Sequence, residues 1–96
     1  METIKLIEPI DINGDTIEEI QLRRPDGKDI REFGFPYRFA TDDGEIAINS
    51  KVCARYISRL GALPSSAVDR LSPADFQEIC TKILGFFGQE RPEKAS

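Results

Sequence analysis

The pattern of apolar and polar residues at the start of the chain predicts a β-hairpin over residues 3–23. Apolar residues alternate with polar ones in both halves of this segment, as they do in half-buried strands. Asn13-Gly14 lies between the halves and signals a tight turn, because both residue types tolerate positive φ. Pro9 has no N–H to donate, so we expect it to end the first strand or to lie at its edge. Two strands alone are marginally stable, so their apolar face must rest on helices or on another molecule.

Helical periodicity replaces this alternation after the hairpin and predicts three to four helices, at about residues 27–33, 47–60, 65–71 and 73–87. Asp26 is the candidate N-cap of the first helix, and Gly34 is its predicted end. The following residues, 34–45, contain Pro and Gly and indicate a loop. The second helix is expected to begin at about Ile46 or Asn49 and to close at Gly61.

The last helix has the clearest boundaries. Ser72 is a candidate N-cap, Pro73 suits the first helical position, and Asp75 completes the spacing of a capping box. Gly88 is the predicted end. The apolar arc of this helix contains Phe76, Ile79, Cys80, Ile83, Leu84 and Phe87, and the polar side contains Asp75, Glu78 and Lys82. Phe86 lies at the edge of the arc, so we expect the helix to show more apolar surface than one small domain covers.

These elements predict an α+β fold in one small, mostly helical domain. An N-terminal two-stranded β-hairpin is followed by three to four α-helices within residues 1–88, and residues 89–96 are expected to be a flexible polar tail. A chain of 96 residues has room for only a modest core. We therefore expect a binding surface rather than a deep, enclosed active site.

The composition argues against an enzyme, a metal site or a cofactor site. The chain has no His and no Trp, so the commonest general base and the commonest metal ligand are both missing. Cys53 and Cys80 are far from any C-x-x-C spacing and lie on apolar sides of helices, where we expect them to be reduced and buried. No apolar run approaches the ~18 residues that a membrane span needs. We therefore predict a non-enzymatic cytosolic protein that uses no cofactor and no membrane.

Charge is negative overall and unevenly distributed. The formal net charge is -4, the wrong sign for a protein that binds nucleic acid. Residues 1–45 contain 12 acidic and 6 basic side chains, whereas residues 46–96 contain 5 acidic and 7 basic ones. This asymmetry is incidental, or it makes the two halves attract each other, or it drives head-to-tail association of copies.

Two groups of residues are candidates for contact with a partner. Aromatic residues alternate through residues 33–39 and form either an arm on the domain's own core or a docking strip for another chain. Three basic residues recur at helical spacing; they form a solvated helix face, which we favour, or contact nucleic acid or an acidic partner. The candidate partner-binding residues are Phe35, Tyr37, Phe39, Phe76, Ile79, Ile83, Phe86, Phe87, Lys51, Arg55 and Arg59.

The order of short motifs along the chain resembles a known family. The hairpin carries Ile4-Lys5-Leu6, Pro9-Ile10, Asn13-Gly14 and Ile20-Gln21-Leu22-Arg23-Arg24-Pro25. The helical part carries Gly27-Lys28-Asp29-Ile30, Tyr56-Ile57-Ser58-Arg59-Leu60, Pro64-Ser65-Ser66-Ala67-Val68, Leu71-Ser72-Pro73-Ala74-Asp75-Phe76 and Ile83-Leu84-Gly85-Phe86-Phe87. This ordered set is similar to the small tail assembly chaperones of contractile-tailed phages, the protein E and Mu-like tail assembly families. The aromatic stretch of residues 33–39 is not part of the resemblance.

The resemblance implies a function in phage or prophage tail assembly. Such proteins bind the tape-measure protein, a long and largely helical polypeptide, and keep it soluble in the host bacterial cytoplasm. They leave before the tail is complete, so the chain is expected to be absent from the mature virion. Families of this kind often also make a longer product by ribosomal frameshifting, here near Gly85-Phe86-Phe87-Gly88, and that longer form is a second expected partner.

Two other functions compete with the chaperone. A structural tail component would stay in the virion, and a small regulator would bind DNA through the three basic residues. The acidic total argues against the regulator. Whether the chain forms a homo-oligomer is left open.

Overall fold

The computed structural model describes residues 1–39 and 46–89 and confirms the predicted α+β fold. The chain starts with a long hairpin of β1 (Glu2–Ile12) and β2 (Asp15–Leu22). The elements that follow are α1 (Gly27–Phe33), β3 (Tyr37–Phe39), β4 (Ile46–Ile48), α2 (Ser50–Leu60), α3 (Ser65–Asp69) and α4 (Pro73–Gln89). β1 pairs with β2, and β3 with β4, in two separate antiparallel sheets. The predicted polar tail lies, from residue 90 onwards, outside the described residues.

The hairpin turn forms at Asn13-Gly14, as predicted. Asn13 has a φ of 52° and Gly14 a φ of 87°, the left-handed values that a two-residue type I′ turn needs at both positions. The pairing is regular from this turn back to Ile10, which lies opposite Ile17. The turn therefore sets the register of the distal half of the hairpin.

β1 bulges at Pro9 instead of ending there. The ladder is interrupted between Lys5 and Ile10, where four residues of β1 lie opposite a single residue of β2. Pro9 is one of these four, and a bulge tolerates a residue that has no N–H for the ladder. The strand resumes beyond the bulge and continues to Ile12.

The side chain of Asp75, in the first turn of α4, holds this bulge. Its Oδ1 accepts the N–H of Ile7 at 2.9 Å, and its Oδ2 accepts the N–H of Glu8 at 3.0 Å. Ser72 Oγ accepts the N–H of Asp75 at 3.2 Å, as expected of an N-cap. The prediction that Asp75 lies on the polar side of the helix is wrong, because the residue is 1% exposed and its carboxylate reaches across to the hairpin.

The same contacts determine the protonation state of Asp75. Burial raises the pKa of the carboxyl, but the N–H groups of Ile7 and Glu8 and the hydrogen bond with Ser72 outweigh it, and the pKa lies below its usual value. The group is therefore charged at neutral pH and accepts charge-assisted hydrogen bonds from the bulge.

The core lies between the inner face of the hairpin and helices α2, α3 and α4. It confirms that the hairpin rests on helices, since Ile20 and Leu22 of β2 are buried against them. The N–H of Arg23 donates to the carbonyl of Leu60 at 3.1 Å and joins the end of β2 to the end of α2. The other core residues are Ile4, Leu6, Ile10, Cys53, Tyr56, Ile57, Ala67, Val68, Leu71, Ile79, Cys80, Ile83 and Phe86.

The end of α2 packs closely against the hairpin. Gly61 is the C-cap but keeps a right-handed φ of -93°, and Ala62 takes the left-handed φ of 55° instead. The N–H of Leu63 donates to the carbonyl of Ser58 at 2.9 Å, which closes the helix as in a Schellman motif. Gly61 is required for a different reason, because a Cβ there would lie 3.0 Å from Cγ2 of Ile20.

The segment predicted to be a loop contains β3, and the residues that follow it form β4, so that the two strands make the β3–β4 ribbon. α2 therefore begins at Ser50, next to Asn49, the later of its two predicted starts. Asn49 is its N-cap, and the side chain of Asn49 accepts the N–H of Val52 at 3.2 Å. The three residues before Asn49 belong to β4. Asp26 caps α1 as predicted, and its side chain accepts the N–H groups of the first turn.

Two other helix ends differ from the predicted boundaries. α3 ends at Asp69, and the chain then continues as a tight turn in which Leu71 donates its N–H to the carbonyl of Val68 at 3.2 Å. α4 continues through Gly88 to Gln89, because Gly88 does not take the positive φ that would stop the helix.

We expect Asp75→Asn to destabilise the fold. The amide accepts only one of the two N–H groups of the bulge and turns its own donor toward the other. One donor therefore loses its acceptor, at a cost of about 2 kcal/mol in the free energy of unfolding. Chemical denaturation followed by circular dichroism measures this difference.

Glu78→Gln is the matched control for this variant. It removes the same charge from an exposed side chain on the same helix, so we expect a change below about 0.5 kcal/mol. Equal stabilities of the two variants would contradict the role assigned to Asp75.

Candidate functional site

Exposed apolar side chains gather around the β3–β4 ribbon. Phe35, Ile46 and Ile48 are 53%, 54% and 48% exposed. Tyr37 lies directly opposite Ile48 in the ribbon, so their side chains share one face. We call Phe35, Tyr37, Ile46, Ile48 and the adjoining Phe87 the ribbon face. A cluster of exposed apolar side chains of this kind is typical of a contact surface for another molecule.

The aromatic rings of the ribbon face pack on one another and on the core. The ring centroid of Phe35 lies 5.7 Å from that of Tyr37 and 5.9 Å from that of Phe87, and Phe87 lies 5.7 Å from Tyr56. These are ordinary separations for favourable edge-to-face and tilted pairs. An open cavity of about 480 Å³ lies beside the rings and is bounded by the start of α1.

Hydrogen bonds hold the segment that carries Phe35. The hydroxyl of Tyr56 donates to the carbonyl of Gly34 at 2.6 Å, and the N–H of Asn49 donates to the carbonyl of Pro36 at 2.9 Å. Burial, together with a smaller contribution from the negative charge of Asp29, raises the pKa of Tyr56 to about 12, so this hydroxyl keeps its proton and remains a donor. The backbone is thus held on both sides of Phe35, whose side chain is half exposed.

A buried carboxylate, Asp29, fixes α1 beneath this segment. Its oxygens accept two hydrogen bonds from Arg23, at 2.9 and 3.1 Å, and one from Arg59 at 3.2 Å. It also accepts the N–H of Asp26 at 2.9 Å and so completes the capping box of α1. The hydrogen bonds from Arg23 lower the pKa of Asp29 far below its usual range, although burial alone would raise it.

The three basic residues of α2 do not form one free stripe. Arg59 pairs with Asp29 and, at 2.6 Å, with Glu32, and its guanidinium lies 4.4 Å from the ring centroid of Phe33. Lys51 and Arg55 are exposed. Two of the three basic side chains are therefore available to a partner.

The candidate partner-binding residues of α4 differ in how far they are buried. Ile79, Ile83 and Phe86 are 0%, 0% and 5% exposed and belong to the core. The prediction that Phe86 adds spare apolar surface is wrong, because this ring is buried as part of the core. Phe76 and Phe87 are half buried, and Phe87 alone joins the ribbon face. The backbone of Phe39 belongs to β3, and its side chain lies outside the described part of the structure.

The two cysteines lie together in the core. Both residues are free and buried, and the thiol of Cys53 donates to the carbonyl of Pro36 at 3.8 Å. The hydrogen bond with Cys53, together with burial, raises the pKa of Cys80, so that thiol stays neutral. Within residues 1–39 and 46–89, no group of three or more His, Cys, Asp or Glu side chains could hold a metal ion. No helix in these same ranges is long and apolar enough to cross a membrane.

Comparison with protein families identifies the family of this chain. The family model described as phage tail assembly chaperone proteins, E, or 41 or 14, matches residues 3–88. The chain belongs to this family. Searches of curated proteins and of solved structures gave no significant match.

Membership of the tail assembly chaperone family gives the chain a role in the assembly of phage tails inside the host cell. It implies partners among phage tail proteins in general. The match includes both sheets apart from Glu2 at the start of β1, and all but the last residue of α4. The ribbon face therefore lies within the part of the chain that the family model describes.

Two residues of the ribbon face, Ile46 and Ile48, were missed by the sequence analysis. The sequence pattern predicts that they lie at the start of a helix or just before it. The alternation of apolar residues on both sides of Asp42-Asp43-Gly44 was the available signal for a ribbon, since alternation predicts strands.

We expect the stability of this tail assembly chaperone to fall as pH decreases below about 4. The pKa of Asp29 is lower in the folded chain than in the unfolded chain, so the unfolded state binds the proton first on acidification. In Asp29→Asn this contribution is absent, and the decrease in the free energy of unfolding between neutral and acid pH should be smaller. Urea denaturation at a series of pH values measures it.

Glu32→Gln serves as the control, because Glu32 also pairs with Arg59 but is more exposed. We expect the pH dependence of this variant to stay close to that of the wild-type chain. A pH dependence in Asp29→Asn as steep as in the wild type would contradict the assignment to Asp29.

Proposed function

We propose that the chain binds the tape-measure protein through the ribbon face and keeps it soluble until the tail tube forms around it. Family membership and the exposed apolar side chains of Phe35, Ile46 and Ile48 support this proposal. The chain acts stoichiometrically, without turnover, in the cytoplasm of the host bacterium.

The chemistry of the ribbon face suits a long helical partner with apolar stripes. Rings and branched aliphatic side chains cover apolar residues of a helix without needing a particular polar group opposite them. The Phe35 and Phe87 rings already pack on each other at 5.9 Å, so little side-chain freedom is lost when the partner binds.

The net charge of the chain and the modest size of the ribbon face also suit a chaperone that must later leave its partner. The net charge of -4 keeps a complex of chaperone and apolar partner in solution through mutual repulsion. A small ribbon offers a modest contact, and a modest contact is displaced readily when the tube protein polymerises. Such a chaperone leaves the tape-measure protein and is absent from the finished virion.

A longer product made by frameshifting near Gly85-Phe86-Phe87-Gly88 belongs to the same proposal. These residues lie in the last turns of α4, after the core residues of every earlier element. A product that diverges there retains the hairpin, α1 to α3 and the ribbon-face residues Phe35, Tyr37, Ile46 and Ile48. The gene tests this point directly: a Phe pair encoded without a run of U residues, and no overlapping downstream frame, would remove it.

The test of tape-measure binding is co-expression of the chain with the tape-measure gene product. We expect the wild-type chain to increase the soluble fraction of that product and to co-purify with it. Phe35→Asp and Ile48→Asp place a charge in the ribbon face and should weaken the complex about tenfold or more.

Ile7→Asp is the matched control, because Ile7 is an exposed apolar residue on β1, outside the ribbon face. It should leave co-purification unchanged, and circular dichroism checks that each variant is folded. Unchanged solubility and no co-purification with the wild-type chain would refute tape-measure binding.

Mass spectrometry of purified virions separates the chaperone from a structural tail component. We expect the chain to be absent from mature particles and present in lysates of cells that assemble them. Its presence in particles in a fixed ratio to the tube protein would instead favour the structural component.

A further inference from the structure

An open cavity of about 360 Å³ lies between α1, α2 and α3, and the proposed function makes no use of it. Phe33, Ala54 and Val68 provide its apolar walls. Val68 is buried, but Phe33 and Ala54 are only half-buried, so apolar surface here is still open to solvent. An aliphatic side chain that enters the cavity buries apolar area on both molecules. We call this the helical cavity.

The wall of the helical cavity formed by α2 carries positive charge. Arg55 lines the cavity, and Lys51 lies one turn before it on the same face of the helix. Both side chains are exposed, and neither makes an ion pair within residues 1–39 and 46–89. Their two charges are therefore available to a ligand that covers the cavity.

The other charges around the cavity are either paired or lie on α3. Arg59 also lines the cavity, but it pairs with Asp29 at 3.2 Å and with Glu32 at 2.6 Å. Asp69, the last residue of α3, brings a negative charge to the opposite wall. The cavity is therefore positive along α2 and negative at the end of α3, so a bound carboxylate is favoured on the side of α2.

We propose that the helical cavity binds an amphipathic helix of a partner protein, with an aliphatic side chain in the cavity and carboxylates against Lys51 and Arg55. Residues four apart on a helix are separated by a rise of about 6 Å, so acidic residues at this spacing on the partner match both charges of α2. The inference goes beyond the proposed function and does not rest on it, because the helical cavity and the ribbon face share no residue.

Charge and shape favour such a helix over nucleic acid. Two cations release few counterions from a phosphate backbone, and the net charge of -4 repels it. A phosphate backbone also has no aliphatic group to place between Phe33 and Val68. A helix that carries both an aliphatic stripe and carboxylates satisfies both features of the surface.

A second docking surface allows one copy of the chain to hold two partners at once. The two contacts differ in physical character, because the ribbon face is apolar whereas the helical cavity combines an apolar contact with ion pairs. Salt screens exposed ion pairs and does not weaken apolar contacts. Added salt should therefore weaken binding at the helical cavity and leave binding at the ribbon face largely unchanged.

The test measures the binding of labelled synthetic peptides to the full-length chain by fluorescence anisotropy. The acidic peptide is a helix of about 18 residues in which Leu and Glu each recur one turn apart, with Ala and Gln elsewhere. Two matched peptides replace every Glu by Gln or by Lys. We expect the acidic peptide to bind with a Kd of about 10 to 100 µM and the Gln peptide about tenfold more weakly.

Variants of the chain separate the charge of α2 from the cavity itself. Arg55→Glu should weaken binding of the acidic peptide about tenfold, and Lys51→Glu combined with Arg55→Glu should make the chain prefer the Lys peptide. Asp69→Asn removes a repulsive charge and should strengthen binding of the acidic peptide. Ala54→Leu fills part of the cavity without a change of charge and should weaken binding of the acidic and Gln peptides alike.

Lys82→Glu is the matched control. It makes the same kind of charge change at an exposed residue of α4, which lies beside β1 and not at the helical cavity. Its affinity for the acidic peptide should stay within about twofold of the wild type. Circular dichroism checks that every variant is folded and that the three peptides are equally helical.

Three outcomes would overturn the proposal. The first is no binding of the acidic peptide up to about 1 mM. The second is equal binding of the acidic and Gln peptides, which would assign the cavity to a purely apolar ligand. The third is tighter binding of a single-stranded oligonucleotide than of the acidic peptide, lost in Arg55→Glu, which would assign the surface to nucleic acid.

Phe35→Asp keeps this proposal separate from tape-measure binding. The variant alters the ribbon face and should leave the affinity for the acidic peptide unchanged, whereas Arg55→Glu should leave co-purification with the tape-measure protein unchanged. The failure of one proposal is therefore distinguishable from the failure of the other.

Discussion

The carboxylate of Asp75 is the interaction on which the arrangement of hairpin and helices depends. It joins α4 to β1 across 67 and 68 residues of sequence and supplies the acceptors that the bulge cannot find in the ladder. Without it, two N–H groups beside Pro9 would lack protein partners. The bulge in turn allows one strand to carry Leu6 into the core and to expose Ile7 next to it.

A second buried carboxylate, in the first turn of α1, also joins several elements. Asp29 binds Arg23 at the end of β2, Arg59 on α2 and the start of its own helix. These bonds fix α1 and therefore the segment that leads to Phe35. A charge of this kind is costly to bury unless every oxygen is well paired, and here both oxygens accept hydrogen bonds from guanidinium groups. The apolar ribbon face is thus held by polar contacts beneath it.

Much of the fold could be predicted because its signals are local. The turn at Asn13-Gly14 and the cap at Asp26 depend on residues close in sequence, and the structure confirms them. The apolar arc predicted for α4 is confirmed in part, since Ile79, Cys80 and Ile83 are buried in the core. The site was predicted only in part. Phe35, Tyr37 and Phe87 do meet, at ring separations of 5.7 to 5.9 Å, but nothing in their spacing indicates that Phe87 would reach the aromatic segment from α4.

The sequence by itself determined the fold class, the hairpin turn, the helix starts at Asp26 and Ser72, and the resemblance to tail assembly chaperones that the family match confirms. Only the tertiary structure decided which of these side chains are exposed and which are buried. The helical pattern predicts an exposed Asp75, but its carboxylate is buried against the bulge of β1. The same pattern predicts a partly exposed Phe86, but its ring is buried in the core. The physical reason is that caps, turns and periodicity act between neighbours in sequence, whereas burial and charge pairing depend on contacts between segments far apart along the chain.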